Sequence, residues 1–350
     1  MSHSNNLTFL RWLAAGMVLY GHSFIFLGLP EPRFMGWAPL GALGVYIFFA
    51  ISGYLVAQSW QSDPHAVRFL KRRVLRIFPG LIVCTLLSVV LLGALLTSLP
   101  ISDYFSHPAT RGYFSNIALY ITFYLPGVFE TNRVANAVNG SLWTLPVEFS
   151  MYLALALFGL LRVPRGGWVA LAVGLMLMSG LWAMRAPDML VFYRSDLRQV
   201  VGCGVYFWVG AVFYRFGLKR VFSTTTIFIA IIVWLCLSRW IEIFVMASWV
   251  FLPFLALAFG LASNSWLGRL ANYDYSYGIY IYAFPIQQTV IKLWPQMPIG
   301  LYLVITFSAT LALAALSWHW IERPALRLKP HRRPAPAEES IETSSNRPCK

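Results

Sequence analysis

The 350 residues are 58% hydrophobic and only 11% charged, yet they carry a formal net charge of +14. Soluble domains run nearer 45–50% apolar and about 25% charged, so a water-exposed globular fold is excluded and a lipid bilayer is the expected solvent. Of the four cysteines, Cys84, Cys203 and Cys236 lie in apolar runs and Cys349 near the C-terminal end, a spacing that suits neither a disulfide framework nor a metal site.

A bilayer-spanning helix needs about 20 mainly apolar residues, because hydrocarbon satisfies no backbone polar group. Ten such spans are predicted, at about 7–28, 39–60, 78–99, 142–162, 168–185, 200–217, 222–240, 244–263, 274–293 and 299–321. The fold class is therefore an all-α polytopic membrane protein. One transmembrane domain covers 1–321, and a basic tail rich in Pro and Ser, 322–350, is expected to be cytoplasmic and largely disordered. An eleventh run, "GYFSNIALYITFYLPGVF" at 112–129, decides orientation. As a re-entrant or outer-surface helix it leaves both termini inside, with eighteen of the 27 Lys and Arg in inner loops and tail, as the positive-inside rule favours. The net charge then follows from topology and contact with anionic lipids, and no nucleic-acid partner is needed. The first run lacks a basic leader and contains Arg11, which argues against a cleaved signal peptide.

The first span, "LTFLRWLAAGMVLYGHSFIFLG", carries Arg11 and His22. Eleven positions apart, they are separated by roughly 16 Å and about 20° of rotation, so they share one face with Ala14, Ala15 and Val18 between them. A long thin molecule on that face would meet both; alternatively, the small residues admit a neighbouring helix. Ionisable groups at membrane depth cost several kcal/mol unless they face a cavity or partner. Arg11 is close enough to the boundary to snorkel, and a structural histidine satisfied by a hydrogen bond is the plain alternative for His22.

In the second span, "GALGVYIFFAISGYLVAQSW", glycines allow close helix packing, while Ser52 and Tyr54 bring hydroxyls that either line a polar path or bond to helix carbonyls. The third is entered through "VRFLKRRVLRIFPG", where Arg68, Arg72 and Arg76 form a stripe flanked by Lys71 and Arg73. Such a cluster is a topology signal or lipid contact, or else a dock for a molecule bearing phosphates, which match the guanidinium fork. The fourth, "NGSLWTLPVEFSMY", contains Ser141 and Trp143 and places Glu148 about two turns inside the outer boundary. There Glu148 either orients and charge-stabilises His22 or only fixes helix packing. Asp274 reads as ordinary interface at an inner boundary. There is no H-x4-D, no G-x-S-x-G elbow, no P-loop, no dinucleotide fingerprint and no metal-binding cluster.

In this order the segments resemble the membrane-bound acyltransferase 3 family, whose bacterial members O-acylate cell-surface sugars. Arg11 and His22 stand as the family's R-x10-H, "GALGVYIFFAISGYL" as its glycine-rich F-F-x-x-S-G-[FY]-L stretch and "KRRVLRIFPG" as its R-R-x-x-R-I-x-P. "SLWTLPVEFSMY" matches S-L-W-[ST]-L-x-V-E, and "WIERP" matches I-E-[KR]-P. The resemblance implies a bacterial inner-membrane O-acetyltransferase that moves an acetyl group from cytoplasmic acetyl-CoA to a hydroxyl of a saccharide such as O-antigen, exopolysaccharide or a lipid-linked precursor. On this reading His22, Arg11 and Glu148 are catalytic, and Arg11, Arg72, Arg73 and Arg76 hold the donor, whose pantetheine arm runs along the first helix. Ser52, Tyr54, Ser141 and Trp143 contact substrate, and no metal takes part. Many relatives read S-Y-x-[LI]-Y-L-x-H-x-P in the ninth span; here Ala283 holds the histidine position, which leaves His22 as the leading imidazole. Larger relatives carry an esterase-like domain, and this chain is expected to be of the stand-alone kind. The rival class is a transporter or channel in which Arg11, His22 and Glu148 form a solute or proton path.

Overall fold

A computed structural model of the protein describes residues 5–185, 191–262, 267 and 273–330. Arg269 and most of the tail, 331–350, lie outside the described residues. Among the described residues ten long helices dominate: α1 Leu7–Leu27, α2 Leu40–Ser62, α3 Ala66–Leu96, α4 Gly140–Leu160, α5 Arg165–Arg185, α6 Leu197–Arg215, α7 Thr224–Leu237, α8 Ile241–Leu261, α9 Ser276–Leu293 and α10 Ile299–Arg327. Among the described residues, eight helices are long and apolar enough to cross a membrane. The other two, α7 and α9, have 14 and 18 residues. The only strands among the described residues are two-residue hairpins, Arg33–Phe34 with Ala38–Pro39 before α2 and Val191–Phe192 with Ser195–Asp196 before α6. The all-α polytopic reading is what the structure displays.

Helix packing is set by missing side chains. A Cβ on Gly53 of α2 would stand 1.8 Å from the carbonyl oxygen of Phe207 in α6, so these two helices meet backbone to backbone. A Cβ on Gly44 would fall 2.5 Å from the Ala14 carbonyl oxygen, which brings α2 equally close to α1. Small residues let helices approach where lipid supplies no hydrophobic drive between them.

Two sequence expectations are revised. The third helix starts at Ala66, so the basic stripe belongs to the helix itself; His65 caps it by accepting the Arg68 backbone N–H at 3.4 Å. The run 112–129 is not a continuous helix. It forms a single 3-10 segment, Tyr113–Ala118, followed by irregular chain. Its apolar Tyr113, Leu125, Val128 and Phe129 bury with Val89 and Tyr104 in a satellite core over the far half of α3, which is where the hydropathy of that run is spent. The last helix continues past residue 321 to Arg327 through a π-helical turn, Trp318–Glu322, and Glu322 is buried with its carboxylate accepting from Ser317 at 3.0 Å.

Candidate active site

At the end of the bundle where α1 begins, Asp274 Oδ2 accepts from Arg11 at 3.0 Å and from Arg76 at 2.7 Å, while Ser276 donates to Oδ1 at 2.5 Å. Two cations thus converge on one carboxylate just ahead of α9. Arg73, one helical step from Arg76, makes no salt bridge among the described residues; its guanidinium lies 5.7 Å from the Tyr152 ring centroid and 5.9 Å from that of Phe69. The Nε groups of Arg11 and Arg73 are buried without a hydrogen-bond partner. Buried donors left unpaired cost about 1–3 kcal/mol each, a cost that an acceptor atom placed against them would offset. Lys329, just beyond α10, adds a fourth positive group. Burial, then the repulsion of Arg73, Arg76 and Arg11, pushes its amine down to about 8.

These arginines line one end of a narrow cavity of about 120 Å³ between α1, α2, α3, α4 and α9. At its middle Glu148 accepts from the Ser52 hydroxyl at 2.9 Å and from the Tyr152 hydroxyl at 2.5 Å. Its other end is closed by Thr144 and Tyr280, whose hydroxyls lie 2.7 Å apart; Tyr280 also donates to the Ser141 carbonyl at 3.0 Å.

His22 does not line this cavity. One turn beyond Tyr280 on α9, Phe284 meets the imidazole edge-on at a centroid distance of 5.5 Å, and it packs where a Cβ on Gly140 would fall. Phe26 lies on another side at 6.4 Å, and Nδ1 of His22 is buried with no partner. The neighbouring turn of α1 is held firmly, since Gln287 Nε2 donates to the Leu19 carbonyl and the Ser23 hydroxyl, both at 2.8 Å. The Phe284 ring therefore packs against the imidazole, and neither ring lines the cavity.

Several expected placements change. Glu148 is bonded to Ser52 and Tyr152, and its described contacts do not include His22. The face of α1 between Arg11 and His22 offers no open groove: Ala14 and Val18 are covered by α2, and Ala15 by Ile279 and Ala314. The cavity runs instead past Ser52 and Glu148. Arg72 is only 4% exposed and donates to Asp63 at 2.7 Å, which it shares with Arg68; it does not line the cavity. These two guanidiniums hold the Asp63 carboxyl below the usual carboxylate range. Tyr54 points away from the cavity and packs edge-on to Tyr214 at 5.2 Å. Ser141 is buried, and Trp143 faces a second cavity. Sequence reasoning took Asp274 for ordinary interface and passed over Tyr152; the i, i+4 spacing of Tyr152 from Glu148 was a readable signal for the latter.

The acyltransferase domain of the acyltransferase 3 family matches residues 4–319. The chain is 30% identical over 330 residues to an O-acetyl transferase of Shigella phage Sf6, covering 92% of this chain and 96% of that relative. It is 31% identical over 376 aligned positions to Nodulation protein 10 of Rhizobium leguminosarum bv. viciae, covering 93% and 94%. A peptidoglycan O-acetyltransferase of Listeria monocytogenes, OatA, is 24% identical, with 82% of this chain aligned to 52% of that longer protein. No solved structure matches the chain. The family match over nearly the whole helical bundle, set beside a membrane-embedded cavity rich in arginine, assigns the chain to the acyltransferase 3 family as a membrane-embedded O-acetyltransferase.

Proposed function

We propose that the protein acetylates a hydroxyl of a bacterial cell-surface saccharide, or of its lipid-linked precursor, with acetyl-CoA from the cytoplasm as donor, in the inner membrane and with both termini cytoplasmic. The observation that carries this is the polarity of the cavity, with unpartnered arginine donors at one end and, outside its lining, an imidazole with an unpartnered nitrogen packed on Phe284, one turn along α9 from the Tyr280 that closes the other end. The positive-inside bias supports a cytoplasmic location for the arginine end.

In this reading the donor phosphates sit on Arg73, with Arg11, Arg76 and Lys329 adding charge; Arg72 serves Asp63 instead. The pantetheine arm passes the Ser52, Glu148 and Tyr152 group, and rotation of Phe284 brings the thioester to His22. There the imidazole takes the proton of the acceptor hydroxyl, whose oxygen attacks the thioester carbonyl. The tetrahedral adduct collapses with cleavage of the C–S bond, and the imidazolium returns its proton to the departing CoA thiolate. Arg11 fixes the donor through Asp274 and Arg76, and Glu148 holds a polar path through the bilayer interior.

Membrane vesicles of both orientations, supplied with radiolabelled acetyl-CoA, test the reading. Label should reach glycan when the cytoplasmic face is outward and fail to do so from the opposite face. Acetyl-CoA uptake without label on any sugar would instead support a carrier.

A further inference from the structure

A second cavity, of about 570 Å³, opens at the end of the bundle opposite the arginines, among the first turns of α2, α4 and α6 and the last turns of α5. Its size falls within the ~300–1,000 Å³ of clefts that enclose small-molecule ligands. Its walls combine three aromatic rings, Tyr46, Trp143 and Trp182, with Asp196, Arg198 and Gln199. Tyr46 is held flat against Tyr206, with centroids 4.3 Å apart and planes 18° apart. Asp196 and Arg198 are locked together by a bond of 2.8 Å. The Trp143 indole N–H has no hydrogen-bond partner among the described residues.

The two cavities stand back to back. Val45 lines both, and the opening of α4 divides them: Thr144 closes the first while Trp143 faces the second. Gly140, in the same 3-10 turn, packs on Phe284, the ring that touches His22. The turn is pinned to α9 by Asn139, which donates to the Ile281 carbonyl at 2.7 Å.

We infer that this second cavity is the acceptor site, and that it binds a pyranose by stacking a sugar face on Trp143 or Trp182 while Asp196, Arg198 and Gln199 take its ring hydroxyls. The C–H face of a pyranose is apolar and slightly positive, so it packs on the negative face of an aromatic ring, and its equatorial hydroxyls suit side chains that offer donors and acceptors in one plane. A lipid chain would gain nothing from an ion pair and an amide in the wall. The Gly140–Trp143 turn then presents the acceptor hydroxyl to the acyl group arriving from the other side. This inference rests on the proposed acetyl transfer.

The test uses the full-length protein in nanodiscs, with acetyl-CoA as donor and alkali-de-O-acetylated surface polysaccharide of the producing cells as acceptor probe. Trp182→Ala and Gln199→Ala should each raise the KM for polysaccharide about tenfold or more while leaving the KM for acetyl-CoA unchanged. Trp182→Phe should restore most of the affinity lost in Trp182→Ala. Unchanged acceptor KM in both variants, or equal changes for both substrates, overturns the assignment. Should the wild type transfer no acetyl group, the reading of the reaction fails. Saturation-transfer NMR of polysaccharide fragments on wild type and Gln199→Ala then still decides the cavity, with equal transfer counting against it.

Discussion

One oxygen atom of Asp274 holds both Arg11 and Arg76, at 3.0 and 2.7 Å, and so ties α1 and α3 to the start of α9 at the mouth of the cavity. All three side chains are less than a quarter exposed. Removing one partner of such a group leaves buried charge uncompensated, at about 3–5 kcal/mol. Asp274→Ala is expected to lower the thermal midpoint in detergent and abolish acetyl transfer, while Asp274→Glu keeps part of both. A variant with normal stability and activity would show the cluster to be dispensable.

His22→Ala should reduce acetyl transfer by about 10²–10⁴-fold, the usual worth of a positioned base, with normal membrane insertion. Phe284 supplies a sharper comparison. Phe284→Trp should lower kcat with little change in the KM for acetyl-CoA, because the larger ring cannot turn aside, and Phe284→Ala should raise hydrolysis of acetyl-CoA in the absence of acceptor. Equal rates in all three proteins would exclude passage of the donor past this ring.

The neighbouring arginines Arg72 and Arg73 should behave differently. Arg73→Ala should raise the KM for acetyl-CoA about tenfold, the loss of one charge-assisted contact. Arg72→Ala should leave that KM unchanged and cost about 1–3 kcal/mol of stability through Asp63. The Asp63 contribution also depends on pH. Its folded carboxyl titrates below the unfolded value of about 3.9, so the stabilisation is full above about pH 5 and fades as pH falls through 4 and below. Thermal midpoints of wild type and Asp63→Asn should therefore converge in acid.

Lys329 gives an alkaline signature. With its amine pushed down to about 8, the positive charge is present at pH 7 and lost above pH 8. The kcat/KM for acetyl-CoA, which reports groups in the free enzyme, should fall as pH rises through 8, and this step should be absent in Lys329→Gln. Identical profiles would place the lysine away from the donor.

The helical bundle was legible because apolar runs of spanning length have few other uses, and R-x10-H with S-L-W-T-L-x-V-E carried the family. The arrangement of the site was less so. Arg11 and Asp274 near the ends of apolar runs read as snorkelling or interface residues, since hydropathy cannot distinguish a charge facing headgroups from one facing a partner 263 positions away. The choice between Arg72 and Arg73 turns on Asp63, which lies outside every apolar run. Residues 112–129 were apolar enough to suggest a helix, and only tertiary contact with Val89 and Tyr104 explains their irregular path. The small residues of α1 suited either a groove or a neighbouring helix, and it is α2 that packs there.

The direct backbone contact at Gly53 has a mechanical corollary. Since α2 contributes Ser52 to one chamber, Tyr46 to the other and Val45 to the partition, and cannot slide past α6 without a collision at Phe207, the gap between two co-substrates would be fixed like a machined gauge. Turnover would then depend on rings rotating inside a stationary frame, rather than on the rocking of whole helices by which carriers alternate their openings.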